Sequence, residues 1–316
     1  MTGIEAILGV EKPAFARAVR AIITGDVAGL TAELAAEPLL IGARSEARHR
    51  ASLLHYVSAN GIEEELQSPV PNGDAIAAIL LAAGAEVDAQ LSAVAEEAWS
   101  TTLGLVVSSD HPQEAGTGGR LVGLLCSAGA AVDGLAGNGS PLATALAFGT
   151  LDCADVLIAR GARTDNPIFA AAAGRIAWLR AWLDGPEVNI KPPIPMFLPL
   201  ASDRRVAAEQ ALVFAAMCGQ TEVVRFLLDR GVDINSSPPG SHWTATPLHT
   251  AAGQGQTVVV DLLLRRGADW NRKEERHRST PAVWTKHARP PRRALARVVA
   301  QMLERASGYR SASGEP

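Results

Sequence analysis

The chain has 316 residues, enough for one or two ordinary domains or one long repeat array. Its residues are 47% apolar but only 4% aromatic, so alanine and leucine supply most of the apolar surface. That balance favours closely packed helices over a β-sandwich, and with a net charge of −4 it argues against an intrinsically disordered chain.

The N-terminal nine residues hold no basic segment followed by a long apolar run, so no signal peptide is expected. No uninterrupted apolar stretch reaches about 18 residues, so no membrane span is expected either. Cys126, Cys153 and Cys218 lie far apart, each in an apolar helical pattern. They read as buried reduced thiols, and a reducing cytoplasm fits best.

A first helical unit is expected over 15–34, around Gly25-Asp26. A second opens at Leu53-Leu54-His55-Tyr56-Val57 and closes on Leu80-Leu81-Ala82-Ala83-Gly84-Ala85-Glu86-Val87-Asp88. Between its helices, 63–73 inserts three consecutive glutamates and two prolines. The third unit starts at Thr102-Leu103, just after Trp99, and ends on the same phrase around Gly129 and Asp133. Here 108–119 separates the helices with Pro112 and three glycines. Both interruptions are placed on one rim, opposite the turns that join successive units, as side-by-side loops. They are either tolerated surface loops or part of a binding face.

The fourth unit begins Ser140-Pro141-Leu142 and ends at Gly161 to Asp165. The fifth, 168–183, keeps two short helices around Gly174 but lacks a Thr-Pro start. Then 185–203 brings five prolines, which exclude a continuous helix. Ile194, Met196, Phe197, Leu198 and Leu200 are too apolar for a solvated linker, so this segment is expected to fold back onto adjacent helices, or else to leave an apolar patch for a partner.

A sixth unit spans 211–235 with Gly231, and the seventh is the most regular. In Thr246-Pro247-Leu248-His249-Thr250-Ala251-Ala252, Thr246 suits a helix N-cap and Pro247 the first helical position, where no amide donor is needed. Gly255 ends that helix, Val258-Val259-Val260 opens the next, and Gly267 closes the unit before Asp269 and Asn271. An eighth starts at Thr280-Pro281 and ends over 295–303.

The recurring glycines, Gly84, Gly129, Gly161, Gly231 and Gly267, are spaced 45, 32, 70 and 36 apart, compatible with a period of about 33 residues. Each ends a helix by taking the left-handed backbone conformation at little steric cost. With Thr246, Pro247, His249 and Gly255 they are the structural positions of the repeat. On these residues, and on 246–271 above all, the chain resembles the ankyrin-repeat family. The resemblance covers most of 14–306.

It implies an all-α solenoid of about eight helix-turn-helix units with short β-turn fingers, irregular loops in units two and three, and a Pro-rich break. The expected organisation is an N-terminal block at 14–184, a connector at 185–206, a C-terminal block with a basic cap at 207–306 and a disordered tail at 307–316. The resemblance also implies that His55 and His249 hydrogen-bond backbone between neighbouring loops. It further implies that partners dock on the concave face lined by fingers and first helices.

Candidate partner contacts on that face are Trp99, His242, Trp243 and Arg276. For each tryptophan the competing reading is a ring tucked against the next finger. Trp178, Trp182, Trp270 and Trp284 read as packing residues. Charge is unevenly spread: 265–310 carries 13 Lys/Arg against 4 Asp/Glu. Arg265, Arg266, Lys273, Arg292 and Arg293 are therefore a candidate basic patch for nucleic acid or another anionic surface, or else a solvated end cap.

Neither a phosphate-binding glycine loop nor a nucleophile elbow is present, and His277 and His287 lack metal-ligand spacing. No cofactor and no catalytic residue is expected. The chain reads as a monomeric scaffold for an unidentified protein rather than an enzyme, with nucleic-acid binding as the alternative.

Overall fold

The computed structural model describes residues 3–92, 99–186, 198–240, 244–288 and 292–313. These residues form helices joined by turns, with two isolated β-bridges, Arg44 with Ser52 and Gln90 with Thr101. The chain divides into two compact units, Met1–Ala162 and Arg163–Pro316. The division falls one helix pair before the proline-rich segment at which the sequence reading splits the chain.

The first unit opens with α1 (Gly3–Leu8), followed by the pair α2 (Pro13–Thr24) and α3 (Val27–Ala36). Next come the 3-10 helix Leu53–Ser58 and α4 (Gly73–Ala82). Then follow α5 (Thr102–Ser108), the single turn α6 (His111–Glu114) and α7 (Gly118–Ser127), and finally α8 (Ser140–Phe148) with α9 (Leu151–Ala159). The second unit contains α10 (Pro167–Ala172) with α11 (Ile176–Asp184), and α12 (Arg204–Met217) with α13 (Thr221–Asp229). It ends with α14 (Pro247–Gly253) and α15 (Thr257–Arg265), then α16 (Pro281–Trp284) and α17 (Arg293–Ser313).

Local chemistry explains where the helices start and stop. The side chains of Asp26, Thr101, Asn166 and Asp203 accept hydrogen bonds from the amides of Gly29, Gly104, Phe169 and Val206, three residues on. Asn166-Pro167 thus does for α10 what a Thr-Pro pair would do, so the fifth unit does have a cap. The five repeat glycines have φ between 79° and 96° with open space where a Cβ would lie, so backbone conformation rather than crowding selects glycine there.

Of the first helices, α14 is short and buried: every residue from Pro247 to Ala252 is buried. The second helices bury one stripe, Val223, Val224 and Leu227 in α13 and Val259, Val260 and Leu263 in α15. In the second unit α10, α12, α14 and α16 pack in succession, as do α13, α15 and α17. Trp182 is buried there, while Trp178 and Trp270 pack against the same core.

Polar side chains join successive pairs. Gln220 Nε2 donates to the Ala172 carbonyl and Gln256 Nε2 to the Met217 carbonyl, both at 2.9 Å. In the first unit Asn72 Nδ2 donates to Gly25 O and Thr150 Oγ1 to Val107 O, both at 2.8 Å. Each donor stands just before a second helix. Each acceptor lies at the end of the previous pair's first helix, where carbonyls have no partner within the helix. At the opposite end, the Asp88 carboxylate accepts from Ala131 N at 3.0 Å, and Asn235 Oδ1 from Asp269 N at 2.8 Å. Asp88 after Gly84 and Asn235 after Gly231 therefore tie their fingers to the next.

Three details differ from the sequence expectation, in residues 53–58, the last helix and the cysteines. Residues 53–58 form a 3-10 helix, because left-handed Ala59 (φ 47°) ends the run before α-helical bonding can extend. The last helix reaches Ser313, through part of the stretch read as a disordered tail; no proline interrupts it before Pro316. Cys153 is buried, but Cys126 and Cys218 are only half-buried. Of the proline-rich segment, 187–197, including Ile194, Met196 and Phe197, lies outside the described residues. Leu198 beyond it is fully buried, Leu200 packs on the second unit's core, and Gln210 Nε2 takes the Pro199 carbonyl at 2.9 Å.

Leu227→Ala should lower the unfolding free energy by about 2–5 kcal/mol, the range for truncating a buried leucine. Gln256→Leu should cost about 1–3 kcal/mol by leaving the Met217 carbonyl without its donor. Urea-unfolding midpoints of the two variants check both values.

Candidate functional site

Two buried histidines shape the fingers. His55 Nδ1 accepts from Ser52 N at 3.1 Å and from Ser52 Oγ at 2.7 Å, while its Nε2–H donates to Ser100 O at 3.2 Å. His249 repeats the arrangement with Thr246 N at 3.4 Å, Thr246 Oγ1 at 2.7 Å and Ser279 O at 3.0 Å. One acceptor nitrogen and one donor nitrogen define a neutral ring. Burial pushes His55 down to about 4 against the pull of the Ser100 carbonyl. Burial also lowers His249, again opposed by its bond to Ser279. The Trp284 ring stands edge-on to His249, with centroids 5.5 Å apart.

Each histidine therefore fixes the residue just before the threonine that opens the next first helix. Trp99 precedes Ser100 and is half-buried. His242 and Trp243 lie outside the described residues.

The finger at 271–279 carries the densest exposed charge that this arrangement organises. Arg272, Lys273, Arg276 and Arg278 are exposed, with Glu275 and His277. Glu274 between them is buried. Its carboxylate accepts from the backbone amides of Arg276 at 2.7 Å, His277 at 2.9 Å and Ser279 at 3.0 Å, while its own amide donates to Ser279 O at 3.0 Å. Burial alone would raise the Glu274 pKa, but the amide donors outweigh it and hold the carboxyl below its ordinary value. The Ser279 carbonyl thus receives both Glu274 N–H and His249 Nε2–H. The turn is pinned from both sides while four cations project from it.

Among the sequence candidates, Lys273 and Arg276 meet on this one turn. Arg265 is paired with Asp261 and Arg266 with Asp229, each at 2.8 Å, at the end of α15. Arg293 Nε donates to Ala288 O at 3.3 Å and Arg292 is half-buried. The five residues of the proposed basic patch are therefore divided between the finger and helix ends. Sequence reading missed Glu274. Its signal is an acid set among cations, five residues before a Ser-Thr-Pro helix start.

The interrupting loops also require a correction. Just ahead of the first, Asn60 Nδ2 donates to Ser108 Oγ of the second at 3.0 Å. The first, however, does not stay on the rim opposite the fingers: Glu63 Oε1 meets finger residue His49 at Nε2, 3.0 Å away. A rim position would have left Ile62, Leu66 and Val70 in water, whereas all three are buried.

Among the described residues, no group of three or more His, Cys, Asp and Glu side chains is placed to hold a metal ion. No helix among them is long and apolar enough to cross a membrane.

Helix pairs with side chains and fingers tied from one pair to the next define a repeat protein. The family model for ankyrin repeats (3 copies) matches residues 194–274, so that segment carries ankyrin repeats, and the helical structure is consistent with an all-α ankyrin-repeat fold. No curated protein matches the chain significantly.

A histidine whose pKa is lowered on folding stabilises the fold fully above the unfolded value. That contribution is lost as pH falls from about 6.5 toward 4, where the unfolded chain binds the extra proton. His55 should account for a loss on the order of 3 kcal/mol across that window. Unfolding free energies at pH 7.5, 5.5 and 4.5 should fall in that order, and more shallowly for His55→Gln.

Proposed function

We propose that this ankyrin-repeat chain is a binding protein rather than an enzyme, and that it engages a partner protein through its fingers and the faces of its first helices. The observation that carries this reading is the finger at 271–279. Its four exposed cations stand on a turn that Glu274 and His249 have already ordered. Because the turn is ordered before contact, less conformational entropy is lost on binding. Four clustered positive charges favour a partner with an acidic patch at this point. Trp99, half-buried at the end of another finger, is a second candidate anchor, because a tryptophan buries a large area with few rotors.

The excess of positive charge over 265–310 also favours a second reading, in which the same region binds nucleic acid. Two of its arginines, Arg265 and Arg266, are already engaged by aspartates, which reduces the charge available for phosphates. Protein binding is therefore the preferred reading.

Affinity capture with the full chain, followed by mass spectrometry, should return a partner whose recovery falls about tenfold or more with Arg276→Glu. Glu274→Ala should weaken capture as well, although it removes no positive charge. Equal recovery by both variants and by Trp99→Ala would remove the finger contacts from the proposal. A low-salt mobility shift with duplex DNA or RNA that disappears steeply with added salt would favour the second reading instead.

A further inference from the structure

The ordinary turn between the two helices of a repeat is short here: three residues separate α12 from α13, and three separate α14 from α15. In the second helix pair of the first unit the corresponding stretch, 59–72, has fourteen. It enters through left-handed Ala59 and Gly61. A Cβ on Gly61 would sit 2.8 Å from a methyl of Leu105 on α5 and 2.9 Å from a methyl of Leu91, so only glycine lets the backbone come this close.

Leu91 belongs to a finger: its amide donates to Ser100 O at 2.8 Å, and the neighbouring Ser92 amide donates to His49 O at 2.9 Å. Leu105 belongs to a first helix. The segment therefore lies in the angle between fingers and first helices of the first unit.

Several contacts hold it there. Glu63 reaches the finger at His49: its Oε1 lies 3.0 Å from His49 Nε2, while His49 Nδ1 accepts from the Ala51 amide at 3.0 Å. Asn60 bonds Ser108, and Gln67 Nε2 closes the loop on itself at the Ile62 carbonyl, 2.8 Å away. Ile62, Leu66 and Val70 are buried, and residues 64–66 pack against α1.

We infer that residues 60–66 are an internal occupant of the first unit's finger–helix groove, a strap with which a partner must compete to use that groove. The inference rests on the groove reading of partner binding proposed above. Its observable consequence is that a partner cannot occupy the groove beside Leu91 and Leu105 while 60–66 stay in place.

The test uses the full chain with 61–70 replaced by Gly-Ser-Gly, and as probe a fluorescent synthetic peptide of residues 59–71. The shortened chain should bind the peptide, Leu91→Asp in that background should weaken binding about tenfold, and the intact chain should show no binding. A shortened chain that keeps its helical circular dichroism and cooperative melting yet fails to bind overturns the inference. So does equal binding by the shortened and intact chains.

If shortening prevents folding, hydrogen exchange on the intact chain decides. Amides of 61–66 should be protected, and His49→Ala should speed their exchange about tenfold while leaving α14 unchanged. Exchange at unstructured-peptide rates in the unsubstituted chain overturns the inference. Neither readout depends on the partner, so a negative result here is distinct from failure of the finger substitutions to affect capture.

Discussion

The end of every first helix leaves carbonyls that its own helix cannot satisfy, and in a stack of short helices those carbonyls are shielded from water. The fold answers with a side chain from the next pair: Asn72 for Gly25, Thr150 for Val107, Gln220 for Ala172 and Gln256 for Met217. A single pair can neither bury its apolar stripe nor complete these bonds. Stability in such a chain is therefore a property of neighbouring pairs, and each pair is built around the backbone of the one before it. Apolar packing alone would allow adjacent pairs to slide. A donor directed at one carbonyl fixes the register.

The same requirement operates at the fingers. His55 and His249 each satisfy a carbonyl just ahead of the next pair's first helix, and Asp88 and Asn235 satisfy amides in the next finger. Residues that appear in sequence as an ordinary repeat signature are thus the ones that set the direction of the turns. The basic finger adds its own acid, Glu274, to that scheme. A buried carboxylate with three amide donors is stable where an unpartnered one would be costly.

Repeat punctuation was legible because glycine at positive φ, threonine or asparagine before proline, and a doubled leucine each have a local physical reason. The cap at Asn166 was overlooked only because it substitutes asparagine for threonine. The path of 59–72 was not legible. Glutamates and prolines suggest a solvated loop, and nothing local reveals that Gly61 will lie against Leu91 and Leu105, thirty and forty-four residues further along. The division of the basic patch was hidden for the same reason. Pairing of Arg266 with Asp229 is a contact between neighbouring pairs, and charge counting along the chain cannot separate a paired arginine from an exposed one.

These two blind spots have a common origin. Repeat positions are dictated by the backbone of the adjacent pair, so they recur and can be read. Departures from the repeat are dictated by tertiary neighbours specific to one place, so they cannot be read locally. For a repeat array whose regular positions are already committed to holding the stack, distinctiveness must come from those departures. The ordered basic finger presents charge at one place, and the strap fills the corresponding angle at another. On the proposed reading, one adds a contact and the other withholds a surface. Together they would direct a partner to one part of an array whose underlying repeats are much alike.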